Sequence, residues 1–172
     1  VGLTPYDIAA LCGQVEICKL FLEILADKNP AATHDGCTPL HQAANTGHLE
    51  VCKLILERIE DKNPVTNMGR TPLHYAAEKG HLKILRLFLE NGADKRSVGN
   101  GMTPSLIAAD RGHFRSCLFL MGNLQDIASF FKGIWNRISP KEKLFLKTLL
   151  CLFIVAVIML VVLLFKKKIL QI

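Results

Sequence analysis

The stretch TPLHQAANTGHLEVCKLILE, residues 38–57, decides how this chain folds. Thr38 is a residue type that caps helices, and Pro39 suits the first helical position because no backbone N–H is needed there. The paired alanines let neighbouring helices approach closely. Gly47 follows at a fixed offset, and the apolar residues after it recur at helical spacing. The stretch therefore predicts two helices joined by a turn.

The same pattern returns along the chain at nearly constant spacing. The motif T-P-x-x-x-A-A occurs four times, with periods of 34, 33 and 32 residues, beginning at Thr4, Thr38, Thr71 and Thr103. A glycine follows each motif at a fixed offset, at Gly13, Gly47, Gly80 and Gly112. Each unit carries an apolar face that only a neighbouring unit can cover. The pattern therefore predicts a stack of helix-turn-helix repeats.

These residues resemble the ankyrin repeat family, whose signature T-P-L-H-x-A-A is followed by G-H and a longer second helix. The resemblance covers residues 1–122, as about four repeats of which the first is truncated. It implies an all-α solenoid in which the loops between repeats form β-hairpins. Asp7 replaces the usual His in the first repeat, and Ser105 and Leu106 replace Leu-His in the fourth. The end repeats are thus the least regular, as is usual for capping units.

Most histidines recur at two fixed positions of the repeat, which predicts scaffold hydrogen bonds rather than catalysis or metal binding. They are His41 and His74 in the motif, and His48, His81 and His113 after the glycine. His34 is the exception, because it lies in a loop between repeats where an exposed side chain could meet a partner.

The cysteines are interpreted as small apolar residues. Cys18 and Cys52 occupy one position of successive repeats, and Leu85 fills that position in the next repeat. No two cysteines have the C-x-x-C spacing of a metal or redox site, so neither a metal nor another cofactor is expected. Free thiols favour a reducing compartment such as the cytosol.

By the resemblance, partners bind in a groove lined by the loops between repeats and by the ends of the first helices. The loop positions are His34, Asp35, Asn67, Met68, Arg70, Asn100 and Met102. The helix-end positions are Asn45, Thr46, Glu78, Lys79, Asp110 and Arg111. These residues vary between repeats while the scaffold positions do not, although any one of them could merely be solvated. Their mixed charge suits a protein partner better than a phosphate backbone.

Charge and motifs argue against other functions. Residues 1–123 hold 13 basic and 13 acidic residues, so the whole net charge of +6 comes from residues 124–172. That surplus flanks an apolar segment, which makes nucleic acid an unexpected partner. No G-x-x-x-x-G-K-[ST], G-x-S-x-G or H-E-x-x-H motif occurs. We therefore expect neither an enzyme nor a small-molecule substrate.

The C-terminal stretch TLLCLFIVAVIMLVVLLF, residues 148–165, carries no charge over 18 residues. As a helix it would be roughly 27 Å long, close to the hydrocarbon thickness of a bilayer. We predict a transmembrane span there, inside a helix over 140–168 that a capping box of Ser139 and Glu142 begins, with a short tail at 169–172. The flanking residues at the lipid headgroups are Trp135, Lys141, Lys143, Lys147, Lys166, Lys167 and Lys168.

Residues 123–139 have apolar side chains at helical spacing and allow two interpretations. The segment is an amphipathic helix that lies on the membrane, which Trp135 slightly favours, or one that closes the end of the repeat stack. Five basic residues precede the span and three follow it, which favours a single-pass, tail-anchored protein with its repeats in the cytosol. The endoplasmic reticulum and the mitochondrial outer membrane both remain open.

Three functions fit these observations. The first is a scaffold, anchored in the lipid bilayer, that holds a cytosolic protein through the groove. The second is a fragment of a larger membrane protein with ankyrin repeats, such as a channel or a palmitoyl transferase, since no Met opens the chain. The third is an ankyrin-type effector of a parasite or symbiont. The full reading frame would separate the first two.

Overall fold

The computed structural model describes the following residues: 2–31, 34–122, 132–133, 135–137 and 139–143. The chain divides into two compact units, Val1–Phe130 and Phe131–Ile172. In the described part of the first unit all regular structure is helical, and the helices are α1 Pro5–Leu11, α2 Val15–Ile24, α3 Pro39–Thr46, α4 Leu49–Leu56, α5 Pro72–Lys79, α6 Leu82–Glu90, α7 Pro104–Asp110 and α8 Phe114–Met121.

The first helix of each pair begins at the Thr-Pro of the motif, as predicted. In α3 the backbone N–H of Thr38 donates to Nδ1 of His41 at 3.2 Å, and α5 begins in the same way. In α1 the carboxylate of Asp7 takes the place of the imidazole, and its Oδ2 accepts from the backbone N–H of Thr4 at 2.9 Å. These contacts satisfy backbone donors that a helix start would otherwise leave without partners.

The helix pairs pack as two rows. The inner helices α1, α3, α5 and α7 lie side by side, and so do the outer helices α2, α4, α6 and α8, each of which packs on its own inner helix. Ala43 and Ala44 are completely buried, as the predicted close approach of the inner helices requires. Cys18 and Cys52 are also completely buried, like Leu85 at the equivalent position, so the apolar interpretation of these cysteines is confirmed.

Histidines join each repeat to the one before it. The imidazole Nε2 of the residue that precedes an outer helix lies within hydrogen-bond distance of a carbonyl at the end of the preceding inner helix. These bonds join His48 to Leu11 at 2.9 Å, His81 to Asn45 at 3.2 Å and His113 to Glu78 at 3.1 Å. The last carbonyls of a helix have no partner within the helix, so each imidazole supplies one.

The motif histidines join each repeat to the one after it. Nε2 of His41 lies 3.2 Å from the carbonyl oxygen of Arg70, and Nε2 of His74 lies 3.2 Å from that of Met102. Burial lowers the pKa of both imidazoles to about 4, so both are neutral at pH 7. A neutral imidazole that donates through Nε2 can accept through Nδ1, which matches the bonds at the helix starts. The predicted scaffold role of the histidines is confirmed.

The loops between repeats differ from the expected β-hairpins. The described residues contain no strand, only one isolated bridge, between Gly99 and Met102. The loop before α5 closes as a tight turn, in which the backbone N–H of Thr66 donates to the carbonyl of Arg70 at 2.9 Å. The expectation of hairpins was wrong for these residues, because the loop before α5 closes on this one pair, and the loop before α7 on the Gly99–Met102 pair, instead of extending into a strand ladder.

The described part of the second unit is short. Ser139 and Glu142 form the predicted capping box, with a bond of 2.9 Å from the Ser139 N–H to the carboxylate and one of 3.3 Å from the Glu142 N–H to the hydroxyl. Nζ of Lys143 lies 6.0 Å from the ring centroid of Trp135. No helix within the described ranges is long and apolar enough to cross a bilayer. The predicted span at 148–165 lies outside the described residues, as do Lys147, Lys166, Lys167 and Lys168.

Candidate functional site

An arginine and a tyrosine from the third repeat stack on each other at the inner helices. Arg70 directly precedes the Thr-Pro that starts α5, and Cζ of its guanidinium lies 4.3 Å from the ring centroid of Tyr75. Nη2 of Arg70 donates to Oε2 of Glu78, which lies one helical turn beyond Tyr75. The second carboxylate oxygen of Glu78 accepts from Nη2 of Arg111, in the fourth repeat, at 2.8 Å. We call these four residues the ion-pair cluster.

The ion-pair cluster is mostly buried at Arg70 and Glu78 and exposed to solvent at Arg111. The side chain of Glu78 is 17% exposed and that of Arg70 is 20% exposed, whereas that of Arg111 is 57% exposed. Burial raises the pKa of Glu78, but the hydrogen bond and charge of Arg70, together with the charge of Arg111, outweigh burial and lower the pKa below its usual range. Glu78 is therefore ionised at neutral pH and holds two guanidinium groups in fixed positions.

A buried thiol connects the cluster to the second repeat. The Sγ atom of Cys37 lies 3.3 Å from the hydroxyl of Tyr75, and the thiol donates to Oδ2 of Asp35 at 3.3 Å. Burial raises the pKa of Cys37, so the thiol is protonated and is not a nucleophile. The polar contacts therefore run without a break through three consecutive repeats.

A small cleft of about 100 Å³ opens beside the ion-pair cluster. Besides Arg70, Glu78 and Arg111, its lining includes Gly99, Asn100, Met102, Ile107 and Asp110. Pockets for small molecules usually measure about 300–1,000 Å³, so this cleft suits one side chain of a partner better than a whole metabolite.

The loops are bonded to each other along the stack. The backbone N–H of Asn67 donates to the carbonyl of Asp35 at 2.8 Å, and its side-chain amide donates to the carbonyl of His34 at 2.7 Å. One repeat further, the backbone N–H of Asn100 donates to the carbonyl of Met68 at 2.9 Å. The predicted loop residues are therefore neighbours, and the side chain of Met68 points into solvent with 66% of its surface exposed.

The repeated helix pairs of this chain also match a known protein family. The family model described as Ankyrin repeats (3 copies) matches residues 6–99 and, in a second match, residues 59–130. The chain belongs to the ankyrin repeat family. No curated protein is significantly similar to it. Ankyrin repeats are in general modules for protein–protein interaction, and this chain shares that character.

The remaining predicted groove residues lie at the ends of the inner helices of the ankyrin stack. Asn45 is partly buried, and its carbonyl is the one that a histidine of the next repeat contacts. Thr46 is exposed, and its hydroxyl donates to the carbonyl of Gln42 at 2.9 Å. Lys79 and Asp110 are both exposed.

Several residues on this face of the ankyrin stack were not predicted from the sequence. Tyr75 contacts both Arg70 and Cys37. The sequence marked it only as the variable fifth residue of the motif. Val65 and Val98 are 60% and 61% exposed, and each lies two residues before an asparagine of its loop. Their recurrence ahead of Asn67 and Asn100 was visible in the sequence and predicts an apolar edge beside the polar residues.

The histidines and cysteines of the ankyrin stack do not assemble into a further site. Within the residues that the structure describes, no group of three His, Cys, Asp or Glu side chains could hold a metal ion. The buried histidines are occupied by the scaffold bonds described above. The loops and inner-helix ends thus offer a partner hydrogen bonds, ion pairs and apolar contacts.

Proposed function

We propose that this chain is a membrane-anchored interaction scaffold that holds a protein partner on the loops and inner-helix ends of its ankyrin stack. The ion-pair cluster is the observation that carries the proposal. Arginine and tyrosine are among the residues that contribute most to binding at protein interfaces. Here Tyr75 and Glu78 already fix the guanidinium of Arg70, so a partner would meet an ordered surface and binding would cost little side-chain entropy.

The surroundings of the cluster support a protein as the ligand. Exposed apolar side chains at Met68 and Val98 lie on the adjacent loops, so apolar and charged groups occur side by side. Protein interfaces combine such groups, with aromatic, Met and Arg side chains enriched over the rest of the surface.

Site-specific photocrosslinking in cells tests the partner-binding face. A photoreactive amino acid placed at Met68 is expected to give discrete adducts with one protein or a few proteins. The same amino acid at Glu57, which is exposed at the end of outer helix α4, is the matched control and should give none. Equal adducts from both positions, or none from Met68, would show that the loops are not a binding face.

The membrane part of the proposal rests on the sequence. The uncharged stretch 148–165 has the length of a bilayer span and has lysines at both ends. The contact of Lys143 with the ring of Trp135 supports it, because such amphipathic side chains are common at membrane interfaces.

Carbonate extraction and protease protection of the full reading frame test the anchor. The anchored scaffold should stay in the membrane pellet, with its repeats digested and only a short C-terminal piece protected. A control that lacks 148–165 should move to the supernatant. Full extraction of the unaltered protein would refute anchoring, and several protected segments beyond residue 172 would favour the front of a channel or transferase.

A further inference from the structure

Equivalent positions of the four repeats place a graded set of side chains on one face of the inner helices. We define a rung as the residue before the Thr of the motif, the fifth residue of the motif, and the two residues that precede the glycine of the repeat. The contacts of Tyr75 with Arg70 and with Cys37, and the bond between Glu78 and Arg111, show that these positions share one face. The rungs of the first and second repeats occupy the same positions by the periodicity of the sequence.

The chemistry of the rungs changes from one end to the other. The first rung is apolar, and two of its side chains, Leu3 and Ile8, are 40% and 49% exposed. The second rung is mainly neutral and polar, with Gln42, Asn45 and Thr46. The third and fourth rungs carry charge, at Arg70, Glu78, Lys79, Asp110 and Arg111. A partner that contacts the whole face must therefore be apolar at one end and polar at the other.

The charged end has spare capacity for a carboxylate. Both oxygens of Glu78 are already bonded to arginines, so that carboxylate has little left to offer a partner. Arg111 is largely exposed, and its bond to Glu78 uses only Nη2 of a group that has five N–H donors. Exposed Lys79 adds a positive charge, which the exposed carboxylate of Asp110 opposes. This end carries three cations and two anions, namely Arg70, Lys79 and Arg111 against Glu78 and Asp110. Its net charge is therefore positive, which favours a carboxylate ligand.

The rung spacing sets the length of the ligand. Packed helices lie about 8–10 Å apart, so the apolar rung and the charged rungs are separated by roughly 16–30 Å. An extended chain advances by about 3.3 Å per residue and covers the middle of that range in about six to eight residues. The amide and hydroxyl side chains of the second rung can bond to the backbone of such a segment, which a helical ligand would not offer.

The geometry points to an extended peptide segment as the partner of this face. We propose that the segment places an apolar side chain against Leu3 and Ile8, and an Asp or Glu side chain, about six to eight residues away, at Arg111 and Lys79. This inference rests on the proposed function, because it specifies what the same groove binds.

Selection from a displayed library of random 12-residue peptides on the full chain tests the inference. Selected peptides are expected to pair an apolar residue with an acidic one at the stated separation. The double substitution Lys79→Glu and Arg111→Glu should remove the acidic preference and weaken a selected peptide by about tenfold or more. Ile8→Asp should remove the apolar preference while leaving the acidic one. Lys53→Glu, on outer helix α4, is the matched charge control and should change neither.

Arg111→Gln is a milder variant for the case in which the double substitution unfolds the stack. It removes the charge without placing a second carboxylate beside Glu78, and it should still weaken the selected peptides. Peptides without an acidic preference, or no enrichment over an empty surface, would overturn the extended acidic ligand. The Met68 crosslinks would then still decide the proposed function, so the two failures are distinguishable.

Discussion

A Cβ atom added to Gly47 would lie 2.8 Å from Cε1 of His81, the histidine that precedes the next outer helix. Gly47 also has a φ of 91°, which residues other than glycine rarely adopt. The glycine therefore allows the left-handed turn that ends α3, and it also leaves room for the imidazole of the following repeat. Gly47→Ala should destabilise the stack by more than the roughly 1–3 kcal/mol that a left-handed backbone alone costs.

Gly92 separates the two effects of that substitution. Its φ is 82°, but an added Cβ would meet no atom within 4 Å. Gly92→Ala should therefore cost only the backbone strain, and urea unfolding followed by circular dichroism should rank it clearly above Gly47→Ala in stability. Equal losses would mean that the imidazole moves aside without cost.

Acid should weaken the stack through its buried histidines. His41 and His74 have pKa values lowered to about 4 by burial, against an ordinary value of 6.5. Between these values the unfolded chain binds more protons than the folded one, so stability is full above pH 6.5 and falls as the pH drops towards 4. Each unit of pKa difference corresponds to about 1.4 kcal/mol.

The free energy of unfolding, measured in urea at pH 7, 6, 5 and 4, checks this prediction. His41→Gln should give a shallower decline with pH than the parent chain, whatever its stability at pH 7. Gln42→Asn alters no titratable group and should keep the parent slope. A parent-like slope in His41→Gln would rule out this histidine as a source of the acid sensitivity.

Restoring the motif histidine should stabilise the first repeat. Asp7 is completely buried, and its Oδ1 has no hydrogen-bond partner among the described residues. Its Oδ2 contacts Thr4 as Nδ1 of His41 contacts Thr38. Asp7→His should add the missing donor towards the next loop and stabilise the stack by about 1 kcal/mol, the usual value of one hydrogen bond.

Thermal unfolding of Asp7→His and Asp7→Asn provides the comparison. Asparagine removes the charge but cannot reach the next repeat, so its midpoint should lie below that of the histidine variant. The reverse order would indicate that the packing around position 7 does not accept an imidazole.

The carboxylate of Glu78 should contribute measurably to stability as well as to the surface. Glu78→Gln leaves two guanidinium groups without their anion, one of them mostly buried, and should cost on the order of 1–2 kcal/mol. The matched control is Glu16→Gln, which breaks the exposed pair with Lys19 and should cost less than about 0.5 kcal/mol. If the two variants unfold at the same urea concentration, Glu78 contributes no more to stability than an exposed ion pair does.

The repeat architecture was predictable because each of its parts has a local chemical reason. Thr-Pro begins each inner helix of the chain, and a histidine that recurs every 32 or 33 residues implies a bond that is repeated along the stack. The loops were not predictable in the same way. Whether the segment between Thr66 and Arg70 extends or turns depends on how its backbone pairs with the neighbouring loop, through Asn67 and Asp35.

The candidate site was predictable in its members but not in its connections. Arg70, Glu78 and Arg111 were expected on one surface, yet nothing in the sequence shows that both arginines share one carboxylate. That arrangement depends on Tyr75, whose ring places the guanidinium of Arg70. The contact of Tyr75 with Cys37 joins residues 38 positions apart, so it arises only from packing.

The histidine bonds run only between adjacent repeats, so tension applied along the stack would be carried in series. Asp7 takes the place of the motif histidine in the first repeat, so among these histidine bonds only that of His48 joins the first repeat to the second. The fourth repeat keeps the bonds of both His74 and His113 to the third, and Arg111 adds its bond to Glu78, so we expect the first repeat to detach first under force. Mechanical load would thus remove the apolar end of the groove before its charged end, which would make partner retention sensitive to force.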